Sequence, residues 1–348
     1  MEHRKSNIEL FRIILMFFIV LYHYFNHGLS LSSAQFSSNT SVLYLLTFFG
    51  PLSVLAFFMI SGYFQSTKSF NLSSFIKLIF ETCFYVILLY SVYLIYSKNP
   101  FSFKELGYNL LNYWFPLVYL SVYLFSPALN AIIKSASKKE AAFFFSVMLV
   151  FCLLSLLFPT NTISAIIYAC FGYLVGGFLA KFDVKINGKI RLVGILSLAF
   201  SIVSTYAGLF YSVSSGKEFS SYLILFLYKS PFALLINTWI FLEFQNMRIR
   251  STLWINFPAQ AVFGVYFLHD SLSCYDFLWQ KCLMVNDHYA MGVSITIGHS
   301  IVSALLILSL GILLDLLRKY CLERPLFRLL DRPISFFQKK LDELPTGH

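Results

Sequence analysis

Hydrophobic residues in this chain run for about 18 to 25 positions at a time, and polar residues collect in short stretches between the runs. A run of that length, rising about 1.5 Å per residue as a helix, crosses a hydrocarbon core about 30 Å thick. Breaks rich in charge, Ser, Gly or Pro divide the sequence into ten such spans, at 8–27, 42–64, 76–96, 109–133, 141–158, 162–180, 192–212, 221–242, 253–273 and 291–316. The pattern predicts an all-α integral membrane protein folded as one bundle of about ten transmembrane helices.

Composition agrees with the pattern. Of 348 residues, 58% are hydrophobic and only 12% charged, far from the mix of a water-soluble domain. Charge adds an orientation. With the N-terminus inside, twenty of the 26 Lys and Arg fall on the cytoplasmic side and four (Lys98, Lys104, Lys217, Lys281) in outer loops, while Arg12 and Lys229 lie within or at the edge of spans. That bias satisfies the positive-inside rule and predicts that both termini are cytoplasmic. The net charge of +10 is then explained by short loops facing anionic lipid headgroups, so membrane lipids are expected partners and nucleic acid is not. Residues 1–317 read as one membrane domain. Residues 318–348, with "RKYCLERPLFRLLDRPISFFQKKL", read as a basic amphipathic tail along the inner membrane surface.

Glu9 and Arg12 interrupt the first apolar run near its start, which favours a retained span over a cleaved leader. The six cysteines form no CxxC or Cys/His pattern; Cys274 and Cys282 on the outer side are the one candidate pair, and no residue is assigned to a metal.

An ionisable group inside a bilayer is costly unless it faces protein, water or a ligand, so each is a functional candidate. Arg12 and His23 are eleven residues apart in "FRIILMFFIVLYHYF", close to three whole turns and about 16 Å of rise, which puts both on one stripe. Arg12 alone is open to a plainer reading, snorkelling to lipid phosphates. "SNIE" reads as a capping box, with Ser6 as N-cap and Glu9 at the third helical position. Ser61 and Gly62 in "FFMISGYF" allow close helix contact or an unwound turn. In "NYWFPLVYL" Pro116 breaks a helix, and in "GVYFLHDS" His269 and Asp270 fall near the outer end of the ninth span, where an interfacial belt is the plain reading. Glu323 and Arg324 read as a cytoplasmic ion pair.

In this order the pieces resemble the acyltransferase-3 family, transmembrane enzymes that mostly move acetyl groups onto bacterial glycans. The features that carry the resemblance are Arg12 and His23 as Arg-x10-His, the Ser61-Gly62-Tyr63 triplet, the aromatic segment around Trp114, "YFLH" ending at His269, and Glu323-x-Pro325. The resemblance implies a tunnel through the bundle in a bacterial cytoplasmic membrane. In that tunnel a cytoplasmic acyl-CoA donor, acetyl-CoA above all, meets the hydroxyl of a glycan or lipid-linked glycan acceptor. His23 would act as general base, Arg12 with Ser61, Lys68 and Lys77 would bind the coenzyme, and Glu9, Tyr63, Trp114, His269 and Glu323 would support the site. Many members place arginines after the Ser-Gly pair; this chain offers only Lys68 and Lys77, point charges without the bidentate guanidinium fork. Two rival classes remain at this stage, a transporter or lipid-linked sugar flippase and a glycan polymerase. Against them stand the absence of visible symmetry between the halves and outer loops no longer than about 17 residues.

Overall fold

The structure is a computed structural model that describes residues 5–32, 35–155, 162–217 and 227–343. Among these residues every regular element is a helix. Among the described residues seven helices are long and apolar enough to cross a membrane: Ser6–Gly28, Ser41–Gln65, Leu72–Ser97, Trp114–Ser135, Ile163–Lys181, Gly188–Ser215 and Val293–Leu329. The other three expected spans take different forms. The segment at 141–158 is the helix Lys138–Ser155, which ends where the described residues end, and the one at 221–242 is described as a helix from Pro231 to Asn246.

The segment at 253–273 is interrupted, forming the helices Leu253–Ala259 and Val262–His269. A break in backbone hydrogen bonding at this depth needs a replacement partner. Lys319 supplies one, donating from Nζ to the Gln260 carbonyl at 2.9 Å. Ala261 N–H closes a short turn onto the Pro258 carbonyl at 3.0 Å.

The long helices are patterned for lipid. Along Gly188–Ser215 the residues facing the bundle are Gly194, Ser197, Ser201, Thr205, Gly208 and Ser212, while Leu192, Leu196, Phe200, Val203 and Phe210 are exposed. Val293–Leu317 repeats the arrangement, with Thr296, Ser300, Ser303 and Gly311 inside and Val302, Leu306, Leu310 and Leu313 outside. Small and hydroxyl-bearing side chains let helices approach closely where lipid gives no hydrophobic drive for them to associate.

The closest approach in the bundle joins Phe49–Gln65 to Thr162–Lys181. A Cβ built on Gly62 would lie 1.9 Å from the Tyr173 carbonyl oxygen, and one on Gly176 would lie 1.9 Å from that of Met59. Gly62 therefore serves packing, and the helix passes through Ser61 and Gly62 without unwinding.

Several local expectations are corrected. Lys5, not Ser6, is the N-cap residue of the first helix; the Ser6 hydroxyl instead donates to Asn256 Oδ1 at 2.9 Å and accepts from the Thr252 N–H at 3.0 Å. The capping box yields because Ser6 is already inside the helix and is recruited to pin Leu253–Ala259. The break in "NYWFPLVYL" falls at Tyr113, and Pro116 sits in the first turn of Trp114–Ser135, where an N–H has no partner to lose. Cys274 and Cys282 are free thiols, and Cys274 donates to the Leu89 carbonyl at 3.3 Å.

Because backbone atoms stand where a side chain would go, Gly176→Val is expected to destabilise the bundle by about 1–3 kcal/mol through overpacking. Thermal unfolding in detergent should show a lowered midpoint; an unchanged midpoint would mean that the helix pair opens at no cost.

Candidate active site

The Ser6–His23 helix carries Arg12 and His23 on a stripe that faces protein. Between them Leu15, Met16 and Ile19 are buried in the core, and His23 itself is only 9% exposed. The helix then widens into a single π turn, Tyr24–Gly28, and this brings the His27 ring to 4.6 Å from the His23 ring.

Opposite them, the Val262–His269 helix ends on His269 and Asp270. Both are buried, so neither belongs to an interfacial belt. Asp270 collects donors. Its Oδ1 accepts from His27 Nε2 at 3.0 Å and from the Tyr275 hydroxyl at 2.7 Å, while Oδ2 accepts from the Tyr266 hydroxyl. His23 Nδ1 faces the same Oδ1 at 3.8 Å, within ion-pair reach but beyond a hydrogen bond. His27 lies flat on Tyr275, ring centres 4.2 Å apart. The His269 ring stands 5.0 Å from that of His23. Its Nδ1 contacts the Val265 carbonyl at 2.7 Å, and because a carbonyl can only accept, that nitrogen carries the proton. His269 Nε2 is then a buried acceptor with no hydrogen-bond partner among the described residues.

Such a group has a clear chemical competence. An imidazole whose Nδ1 faces a buried carboxylate has Nε2 left for a substrate proton, and the carboxylate stabilises the imidazolium that would form.

At the N-terminal end of the stripe Arg12 donates to Glu9 Oε2 at 2.7 Å and is about a quarter exposed. Lys5 reaches the Tyr63 hydroxyl at 2.6 Å. Ser61 meets the Tyr119 hydroxyl at 3.1 Å and, with Gln65, Tyr123 and Tyr173, lines a shallow cleft of about 10 Å³, room for about one water molecule. Lys68 is exposed in the loop that follows, whereas Lys77 packs on the Phe327 ring at 5.2 Å. Of the four residues expected to hold a coenzyme, Arg12, Ser61 and Lys68 thus lie towards the same end of the bundle, away from His23, and Lys77 is engaged by the tail. Trp114 packs between Phe115 and Tyr228, and Phe115 lies 5.0 Å from Tyr266.

Glu323 belongs to a separate cluster. Arg318, 2% exposed, bonds Asp315 Oδ1 at 2.7 Å and Glu323 Oε2 at 2.6 Å and pairs with Glu81 Oε1 at 3.3 Å. The expected Glu323–Arg324 pair is therefore corrected: Arg324 stacks on the Tyr320 ring at 3.9 Å. Arg318, counted from sequence with the surface tail, is a core residue. Asp315 also accepts from the Tyr85 hydroxyl at 3.1 Å, and its Cβ would meet a side chain at Gly264 at 2.5 Å.

His27 and Tyr275 were not singled out by sequence reasoning, and Tyr266 entered only as the first residue of "YFLH". The signal available for His27 was the His23-x3-His27 spacing, which sets two imidazoles on one helical face. The aromatic hydroxyls had none.

With this geometry in hand, comparison with known families is decisive. The profile of an acyltransferase domain, that of acyltransferase family 3, matches residues 5–318. The chain belongs to the acyltransferase-3 family. No curated protein and no solved structure matches it. As a family member it is a membrane acyltransferase, with an acyl donor and an acceptor as substrates. The match includes every residue of the histidine group and stops at Arg318, so Glu323 lies just beyond it.

Removing the guanidinium from the inner cluster would leave Glu81, Asp315 and Glu323 facing one another in a buried space. Arg318→Met in this acyltransferase is therefore expected to cost about 3–5 kcal/mol, as breaking a buried pair commonly does. The readout is the yield of monodisperse protein and its melting point in detergent. Wild-type behaviour would mean that the three acids are accommodated without the cation.

Proposed function

We propose that this acyltransferase is an O-acyltransferase that moves an acyl group, acetyl above all, from cytoplasmic acyl-CoA to a hydroxyl of a surface or exported polysaccharide or its lipid-linked precursor. The observation that carries the reading is the pairing of His23 with Asp270, buried at one end of a stripe whose other end presents Arg12. Ten spans with both termini inside, in a bacterial cytoplasmic membrane, complete the arrangement.

In this reading the coenzyme's phosphates bind near Arg12, aided by Lys68 and the Ser61 cleft, through charge-assisted hydrogen bonds. Lys77, on the Phe327 ring, contributes long-range charge only. The pantetheine arm extends along the stripe once Leu15, Met16 and Ile19, which are packed in the core here, move aside. About 16 Å of helix rise separates Arg12 from His23, a distance that an extended arm can bridge.

The acceptor hydroxyl gives its proton to His23 Nε2 as its oxygen attacks the thioester carbonyl. The C–S bond then breaks as the C–O bond forms. The imidazolium, stabilised by Asp270, returns the proton to the departing coenzyme thiolate, and the base is regenerated. Glu9 holds the guanidinium in place at 2.7 Å. Tyr63, Trp114 and His269 shape the walls, and Glu323 fastens the inner end of the bundle through Arg318.

His23→Ala is expected to lower transfer of radiolabelled acetyl from acetyl-CoA to a glycan acceptor by about 10²–10⁴-fold, with melting behaviour unchanged. Wild-type transfer by this variant would remove the general-base role. Arg12→Ala should raise the apparent KM for acetyl-CoA with a smaller effect on kcat, and an unchanged KM would remove the phosphate-binding role. Purified protein in detergent has no gradient to couple to, so label on the glycan there also separates the enzyme from a transporter or flippase.

A further inference from the structure

His23, His27 and Asp270 each turn one donor atom towards a common point, and the three atoms lie within 4.8 Å of one another. A tetrahedral zinc ion with ligand bonds near 2.0–2.1 Å separates its ligands by about 3.3 Å. Here His27 Nε2 is 3.0 Å and His23 Nδ1 3.8 Å from Asp270 Oδ1. Small side-chain shifts therefore close the set.

Three further features match a metal site. His23 Nδ1 is a buried nitrogen without a hydrogen-bond partner, which is the state of a ligand atom waiting for a Lewis acid. The surrounding groups hold the ligands: the Tyr275 ring stacks on His27, and Tyr266 and Tyr275 anchor Asp270 through their hydroxyls. The set is also two imidazoles and one carboxylate, nitrogen and oxygen donors suited to zinc with a fourth position left open. The His27 side chain, about a fifth exposed, gives the ion a route from the outer end of the bundle.

We propose that His23, His27 and Asp270 form a binding site for one Zn²⁺, and that the bound ion inhibits acyl transfer. The inhibitory half rests on the reading of His23 as general base. A neutral imidazole has one lone pair in its plane. Coordination through Nδ1 uses that pair and leaves the proton on Nε2, the nitrogen that would have to accept the acceptor's proton. The ion thus ties up the base without touching the coenzyme-binding end near Arg12.

The test uses the full chain in detergent, stripped with a chelator and titrated with zinc chloride, with bound metal measured by calorimetry and by elemental analysis after gel filtration. One equivalent per chain is expected. His27→Ala and Asp270→Asn should each weaken binding by at least about tenfold, while His288→Ala, which alters the stacked His288–His299 pair, should keep the full equivalent. Co²⁺ in the wild-type chain should give visible d–d absorption of a low-coordinate site that zinc abolishes, a readout independent of whether any variant folds. No stoichiometric zinc, or undiminished binding by folded His27→Ala, overturns the site. Acetyl transfer should fall in proportion to occupancy and recover with chelator; full activity of the zinc-loaded enzyme overturns the inhibitory half. Should His23→Ala bind less zinc yet transfer acetyl normally, the general-base reading falls and the metal site stands. Should His23→Ala be inactive while the wild type binds no zinc, the metal site falls alone.

Discussion

A carboxylate inside a helix bundle must be surrounded by donors, and Asp270 meets that requirement by drawing on three separate stretches of chain. His27 comes from the end of the first helix, Tyr266 from the turn before Asp270 and Tyr275 from the segment after it. Leaving such a group unpaired in a low-dielectric interior costs far more than any one of these bonds contributes. The demand of one buried acid thus fixes where the first helix ends, how the interrupted ninth segment is aimed and which way His23 points. The chemistry proposed for His23 follows from the same demand, because the imidazole has the carboxylate as neighbour on its Nδ1 side.

The remainder of the bundle frames that site by an inside-out rule. Helices such as Gly188–Ser215 turn Ser, Thr and Gly inwards and Leu, Phe and Val outwards. In water this pattern would unfold the bundle; in lipid it is the arrangement that lets backbones touch. The contact between Gly62 and Gly176 and their facing carbonyls is its tightest expression, and it places Ser61 at the cleft with Tyr119 and Tyr173.

Much of this was legible in the linear order of residues. The long apolar runs are visible because length alone distinguishes a membrane helix, and seven helices of spanning length and character emerge from them. The eleven-residue step from Arg12 to His23 is readable because helical periodicity is local, and the residues between them, Leu15, Met16 and Ile19, are buried. Three things were not legible, for distinct physical reasons. The interruption at Gln260 and Ala261 lies within an apolar run whose one proline is Pro258, and its replacement donor, Lys319, is 59 residues away. The partner of Glu323 could not be read because Arg318 reaches it five residues on through a π turn, a spacing outside the usual helical pairs, and adjacency made Arg324 look the better cation. Asp270 looked like a residue at the water boundary because its donors come from tyrosines and a histidine that carry no formal charge in the sequence. Where the site depends on tertiary hydrogen bonding, one-dimensional patterns are silent.

Asp315 rests against the backbone of Gly264, and Tyr85, which donates to Asp315, lies parallel to the ring of Phe267 at 5.1 Å. Five residues beyond Gly264, about 7.5 Å along the same short helix, stands His269. The charged knot and the histidines are thus the fulcrum and the tip of one stiff rod, severed from the rest of its segment at Ala261. Displacing the charged knot by a fraction of an ångström tilts the far end, so Asp315 and Arg318 hold the alignment of His269 and Asp270 from a distance.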